Sequence, residues 1–181
     1  MEMTEEKSTI NKLILLFVLD KMEIPLTENS IVEICTSGKN PWINYMEYRD
    51  IKQELIEVGF IYKTSETGGE ERYNLTYEGR NCLSHFYSRI PLKLREEITT
   101  FTKENRLHFK RSQEYVGDYS KNDDGSYTVT LRIRAPFINQ PMLELKTKAP
   151  SRQSAIEAVK KWKDKAHLVY EYIYETLINI D

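Results

Sequence analysis

With 181 residues, 40% of them apolar and 30% charged, the chain has enough apolar side chain for one good core or two small ones, and its patterning favours two compact halves. The richest apolar stretch, Leu13 to Leu19, is flanked by Lys12 and Asp20 and is too short to cross a bilayer; the acidic opening Met1-Glu2-Met3-Thr4-Glu5-Glu6 lacks the positive start of a secretory signal. A cytoplasmic protein without membrane attachment is expected, and its net charge of -2 hides an asymmetry, since residues 1–90 hold 10 Lys and Arg against 15 Asp and Glu while residues 91–181 hold 16 against 13.

The first predicted helix runs from Ser8, a plausible N-cap, to Met22. Ile10, Leu13, Ile14, Phe17 and Val18 share one face, and Leu15, Leu16 and Leu19 widen the stripe, so the helix is expected to pack on more than one side. Pro25 blocks its continuation, and Ile24 to Thr27 reads as a short strand. Thr27 caps a second, short helix through Ile31, Val32, Ile34 and Cys35 that ends at Gly38, and Lys39-Asn40-Pro41 forms the turn.

A longer helix follows, Trp42 to Val58, with Tyr48, Ile51, Leu55 and Val58 toward the core. Its opposite side carries Met46, Arg49 and Gln53, with Tyr45 and Lys52 at one edge. Arg and Gln can read base edges in a major groove, so these five residues are the candidate DNA contacts. Asp50 and Glu57 border the same surface and Glu47 and Glu54 lie nearer the core boundary, which weakens its pull on phosphate. Gly59 ends the helix. Phe60, Tyr62 and Thr64 alternate with Ile61 and Lys63, the tip Glu66-Thr67-Gly68-Gly69-Glu70 turns the chain, and Arg72 to Thr76 returns. Lys63 and Arg72 are the phosphate candidates on this hairpin.

Tyr77 to about Ile90 reads as a fourth helix, Pro91 as a joint, and Leu92 to Asn105 as a linking helix through Leu94, Ile98 and Phe101. Beyond it the apolar period changes to two. Leu107, Phe109 and Tyr115 mark a strand, Asn122-Asp123-Asp124-Gly125 a hairpin turn, and Tyr127, Val129, Leu131 and Ile133 the partner strand. Pro136 and Pro141 bracket a loop before a third strand, Met142 to Lys148. Pro150 and Ser151 open a long final helix in which Ile156, Val159, Trp162, Ala166, Val169, Ile173 and Leu177 recur every three or four residues. With Leu107, Phe109, Val129, Leu131, Ile133, Leu143 and Leu145 under that helix, strand parity puts Lys110, Arg132, Arg134, Lys146 and Lys148 on the other face, together with Glu144. This basic face reads as a solvated sheet surface, a phosphate contact, or a dock for the acidic half.

The order helix, short helix, longer helix, hairpin is that of a winged helix-turn-helix. Leu75-Thr76-Tyr77-Glu78-Gly79-Arg80 resembles the segment by which many bacterial winged-helix regulators leave their wing, and Leu55-Ile56-Glu57-Val58-Gly59-Phe60-Ile61 resembles the helix end, glycine turn and strand before it. The whole layout is similar to an uncharacterised family from Firmicutes whose members are described as winged-helix-like proteins of unknown function. The resemblance implies a transcriptional regulator and supplies no catalytic residues. The expected fold class is therefore α+β, with a winged helix over residues 1–90, a linking helix over 91–105, and a small antiparallel three-stranded sheet with a long C-terminal helix over 106–181 for dimerisation or sensing.

Enzymatic activity is not expected: the chain has no phosphate-cradling glycine loop, no metal-ligand spacing and no nucleophile elbow, and His85, His108 and His167 are scattered. Cys35 and Cys82 stand apart, so neither a zinc site nor any other metal or cofactor is expected. The expected partners are double-stranded DNA and a second copy of the chain, with a small-molecule effector left open. The alternative is a protein-protein interaction module that keeps the scaffold and does not bind DNA.

Overall fold

A computed structural model of the chain describes residues 2–38, 41–64, 70–135 and 140–179, with side chains from residue 5 onward. Among these the fold is α+β, with six α-helices, two three-stranded antiparallel sheets and a helix closing the chain. Two compact units divide it, Met1–Phe109 and Lys110–Asp181.

In the first unit, α1 (Glu2–Met22) is the helix around which the core forms. Leu13 to Leu19, nearly two turns of helix, are all buried. Each such side chain contributes about 1.5–3 kcal/mol of burial. The helix begins at Glu2 rather than after a cap at Ser8. Glu5 and Glu6 sit in its first turns, where acids favour the positive end of the helix dipole, so the earlier start is favoured without the Ser8 cap. At its other end Glu23 takes a left-handed backbone (φ 56°) and Arg106 donates to the Lys21 carbonyl at 2.7 Å and to the Glu23 carboxylate at 2.7 Å, satisfying an orphan carbonyl of the last turn.

Strand β1 (Leu26–Thr27) leads directly into α2 (Glu28–Thr36), whose first turn is capped by the Thr27 hydroxyl accepting from the Ser30 amide. The Ile43 amide donates to the Cys35 carbonyl, and α3 (Tyr45–Glu57) then starts on an Asn44 cap, three residues later than the Trp42 start read from the sequence. The Lys39-Asn40 part of the expected turn lies outside the described residues. Strands β2 (Ile61–Thr64) and β3 (Arg72–Leu75) pair with Ile61 opposite Leu75 and Lys63 opposite Tyr73, and β1 adds to the free side of β3, giving the order β1-β3-β2. Residues 65–69, most of the hairpin tip, lie outside the described residues.

One lock holds α3, the hairpin and α4 (Tyr77–Phe86) together. Gly59 ends α3 at φ 75°, which suits glycine; the Thr76 hydroxyl donates to the Gly59 carbonyl at 2.7 Å and accepts from the Gly79 amide at 3.0 Å as the cap of α4. Gly79 itself lies against the Phe60 carbonyl so closely that a Cβ there would fall 2.2 Å from the oxygen. Arg80 reaches back to Asp20 of α1 at 3.1 Å. The Thr-x-x-Gly-Arg pattern is thus explained by packing alone.

Helix α5 (Leu92–Glu114) corrects the strand expected at Leu107 and Phe109. Ile98, Thr102 and Phe109 are buried along one helical face, while Leu107 is exposed. Residues 105–113 contain no proline or glycine and are rich in good helix formers, so three or four alternating positions do not outweigh continuation of the helix.

The second unit is a sheet with a helix laid on it. Strands β4 (Tyr115–Lys121), β5 (Tyr127–Ile133) and β6 (Leu143–Ala149) pair in the order β4-β5-β6, with Gly117, Leu131 and Leu145 in one row. The β4–β5 turn is the Asn122 to Gly125 segment expected, with Gly125 at φ 81°. Helix α6 (Arg152–Ile173) opens on a capping box between Ser151 and Ser154, and Ala155, Val159, Trp162, Ala166 and Val169 meet Tyr115, Val129, Leu131 and Ile133 on the sheet. The Trp162 indole N–H donates to the Arg132 carbonyl at 3.0 Å. Beyond Ile173 a π-helical turn, Tyr174–Ile178, shifts the register, and Leu177 leaves the expected apolar stripe for solvent.

A candidate nucleic-acid interface on α3

The Asn44 side chain accepts from the Met46 amide at 2.9 Å and fixes where α3 begins. Tyr48, Ile51 and Leu55 then face the core, and the helical period turns Tyr45, Met46, Arg49 and Gln53 outward. Tyr45 is 49% exposed and Met46 65%. Arg49 forms no hydrogen bond or ion pair with any described residue, and Gln53 donates to Glu57 at 2.9 Å. Arg49 and Gln53 also border an open depression of about 330 Å³ between α3 and Glu28.

Four acids on this helix weighed against anion binding, and α1 accounts for two of them. Lys7 pairs with Glu47 at 3.0 Å, the Asn11 amide donates to the second oxygen of Glu47 at 2.8 Å, and Lys12 pairs with Glu54. Those carboxylates are compensated on the side turned toward α1. Asp50 and Glu57 remain beside the outward face.

Lys52 does not join that face. Its ammonium pairs with Glu28 at 2.5 Å and stands 5.6 Å from the centre of the Tyr48 ring and 4.8 Å from that of Tyr73. Glu28 is the hub, for it also accepts from the Tyr48 hydroxyl at 3.0 Å. Burial, followed by the Glu28 charge, pushes both phenols upward, Tyr73 to about 12. In sequence Glu28 reads simply as the first-turn acid after the Thr27 cap; only the fold brings Tyr48, Lys52 and Tyr73 to it.

On the hairpin, Lys63 pairs with Glu71 at 2.8 Å, and Glu71 also accepts from the Tyr73 hydroxyl at 3.2 Å; hydrogen bonds from both, Lys63 first, pull the Glu71 carboxyl below its ordinary range. Arg72 occupies the central strand, opposite Thr27 and Thr64.

The expected basic face of the second unit is a ladder of opposite charges. Arg132 donates to Asp118 at 2.7 Å and to Glu144 at 2.6 Å, Lys146 pairs with Glu144 at 3.1 Å, and Lys148 with Asp124 at 3.1 Å. Hydrogen bonds from Ser126 and Lys148 lower Asp124 to about 2. Lys110 belongs to α5 and not to the sheet, and Arg134 lies just past β5, its amide bonded to the Glu114 carbonyl. Asp118 belongs to the same face, as period-two parity through Tyr115, Gly117 and Tyr119 requires. No group of three or more His, Cys, Asp or Glu side chains suited to a metal occurs among the described residues, nor does any described helix have the length and apolarity to cross a membrane. Cys35 is fully buried, which drives its thiol up to about 12.

Comparison with known proteins finds one family model, described as a domain of unknown function (DUF4364), matching residues 11–177. No curated protein and no solved structure matches the chain.

Proposed function

We propose that this chain, which belongs to the DUF4364 family, is a winged-helix transcriptional regulator that binds double-stranded DNA as a homodimer. The observation that carries the reading is the outward face of α3, where Tyr45, Met46, Arg49 and Gln53 are presented while Glu47 and Glu54 are compensated from behind by Lys7 and Lys12. The order α1, β1, α2, α3, β2, β3, with β1 added to the hairpin, supports a winged helix in which α3 enters the major groove. Arg49 and Gln53 read base edges, and Lys63 and Arg72 on the hairpin meet phosphate. The Lys63–Glu71 pair is exposed, so exchanging it for a phosphate contact costs little. The second unit supplies the dimer contact through the exposed apolar end of α6 and its π turn, Leu168, Tyr172, Leu177 and Ile178.

A second reading, a protein-interaction module without DNA binding, draws on the pairing of Lys52 and Lys63 with carboxylates and on the exposure of Tyr45 and Met46. Selection from a randomised duplex pool at low salt separates the two. A regulator enriches a two-fold symmetric sequence, and the combined change Arg49→Ala and Gln53→Ala removes the enrichment. Absence of enrichment, or enrichment unaltered in that variant, rejects the DNA-reading role of α3.

A further inference from the structure

Within the first unit a cavity of about 660 Å³ opens between the C-terminal turn of α1, α4 and the start of α5. Its size falls in the range of small-molecule sites. Phe17, Leu83 and Tyr87 give it apolar wall, and Lys21, Arg80 and Arg95 line it with positive charge.

The charges on that wall are unevenly paired. Asp20 is taken by Arg80 at 3.1 Å and by Lys21 at 3.5 Å. Arg95 is held differently: its Nε donates to the Ile90 carbonyl at 3.0 Å and its guanidinium carbon stands 5.2 Å from the centre of the Tyr87 ring. No carboxylate among the described residues forms an ion pair with it. A guanidinium oriented by a backbone carbonyl and a ring, beside apolar wall and without an anion, is preorganised for one.

We propose that this cavity binds a small organic monocarboxylate with an apolar or aromatic body, its carboxylate on Arg95 and its body against Phe17 and Leu83. Cations outnumber carboxylates on the wall, and Arg95 has no carboxylate partner among the described residues, which favours a carboxylate over an organic amine. Asp20 and Glu96, which also line the cavity, disfavour a doubly charged phosphate or dicarboxylate. The site stands independently of whether α3 binds DNA.

The test is isothermal titration of the full chain with three probes of one shape, 3-phenylpropanoate, 3-phenylpropanamide and 3-phenylpropylamine. The acid binds saturably and about tenfold or more tightly than the amide or the amine. Arg95→Gln removes that preference, and Arg95→Lys restores part of it. Because Arg95 also holds the Ile90 carbonyl, a second variant, Ser84→Trp on the exposed rim, blocks the cavity in a protein whose circular dichroism is unchanged. Equal binding of acid and amide overturns the proposal, as does acid binding that survives Ser84→Trp. Absence of saturable binding by 3-phenylpropanoate, hexanoate and indole-3-acetate overturns it as well.

Discussion

Lys52 and Glu28 form an ion pair at 2.5 Å in which the lysine side chain is only 16% exposed, so a cation expected to meet DNA instead ties α3 to the first turn of α2. The pair separates two kinds of residue on one helix. Lys52→Ala is expected to cost about 1 kcal/mol of stability, because it leaves the half-exposed Glu28 without its cation and uncovers Tyr73. Arg49→Ala, which breaks no hydrogen bond or ion pair with a described residue, is expected to leave stability within about 0.5 kcal/mol. Chemical denaturation of the two variants side by side checks this, and equal losses would show that Arg49 is also structural.

Gly79 allows no side chain. A Cβ 2.2 Å from the Phe60 oxygen forces the hairpin and α4 apart, so Gly79→Ala is expected to destabilise the first unit by about 1–3 kcal/mol. Thr76→Ala, which removes the α4 cap and the bond to the Gly59 carbonyl, should cost about 0.5–2 kcal/mol. Urea midpoints would reveal both; an unaltered midpoint in Gly79→Ala would contradict the close approach.

The phenols of Tyr48 and Tyr73 keep their protons above the ordinary tyrosine range, Tyr73 to about 12, through burial first and the Glu28 charge second. Folded-state values above the unfolded one mean that the associated stability is complete below about pH 10 and declines as pH rises toward 12, where the unfolded chain releases protons that the folded one retains. Unfolding followed from about pH 9 to pH 11 should show this decline, and Tyr48→Phe with Tyr73→Phe should flatten it. A decline identical in the double variant would assign it to other groups.

Asp124 titrates in the opposite sense. Its carboxyl is lowered to about 2 by hydrogen bonds from Ser126 and then Lys148, so its support of the β4–β5 turn is present above the ordinary aspartate range near 3.8 and is lost as pH falls through about 2. Carboxyl-carbon NMR shifts followed through acid should place this aspartate below the ordinary aspartate range, and Ser126→Ala should move it up. A midpoint that stays fixed in that variant would remove the assigned cause.

Trp162 closes the core of the second unit, buried against the sheet with its indole N–H on the Arg132 carbonyl. Trp162→Ala is expected to cost about 3–5 kcal/mol. Trp162→Phe keeps most of the apolar area and loses only the indole bond, since Arg132 stays paired with Val116 in the central strand, and should cost about 0.5–1.5 kcal/mol. Tryptophan fluorescence from Trp42, which lies in the other unit, supplies an internal control: its transition should not move if the two units unfold separately.

Local chemistry was sufficient for several parts of this protein. The Thr27, Thr76 and Ser151 caps, the glycine that ends α3, the Asn122 to Gly125 turn and the outward placement of Arg49 and Gln53 follow from interactions within a few residues or from a single helical period. Where local patterns competed, the sequence alone misled. Leu107 and Phe109 fit a two-residue period, but helix continuation through a stretch without a breaker, with Phe109 buried beside Phe101, prevailed and took Lys110 off the sheet. Electrostatics lay further out of reach. Charge totals by half counted Glu47, Glu54 and Lys52 as if all faced solvent, whereas pairing is set by partners 24 to 42 positions away, Lys7 with Glu47, Lys12 with Glu54 and Lys52 with Glu28. Coulomb interactions depend on distance in space, and only the tertiary fold decides which charges meet one another and which, like Arg49 and Arg95, stay without a carboxylate partner among the described residues.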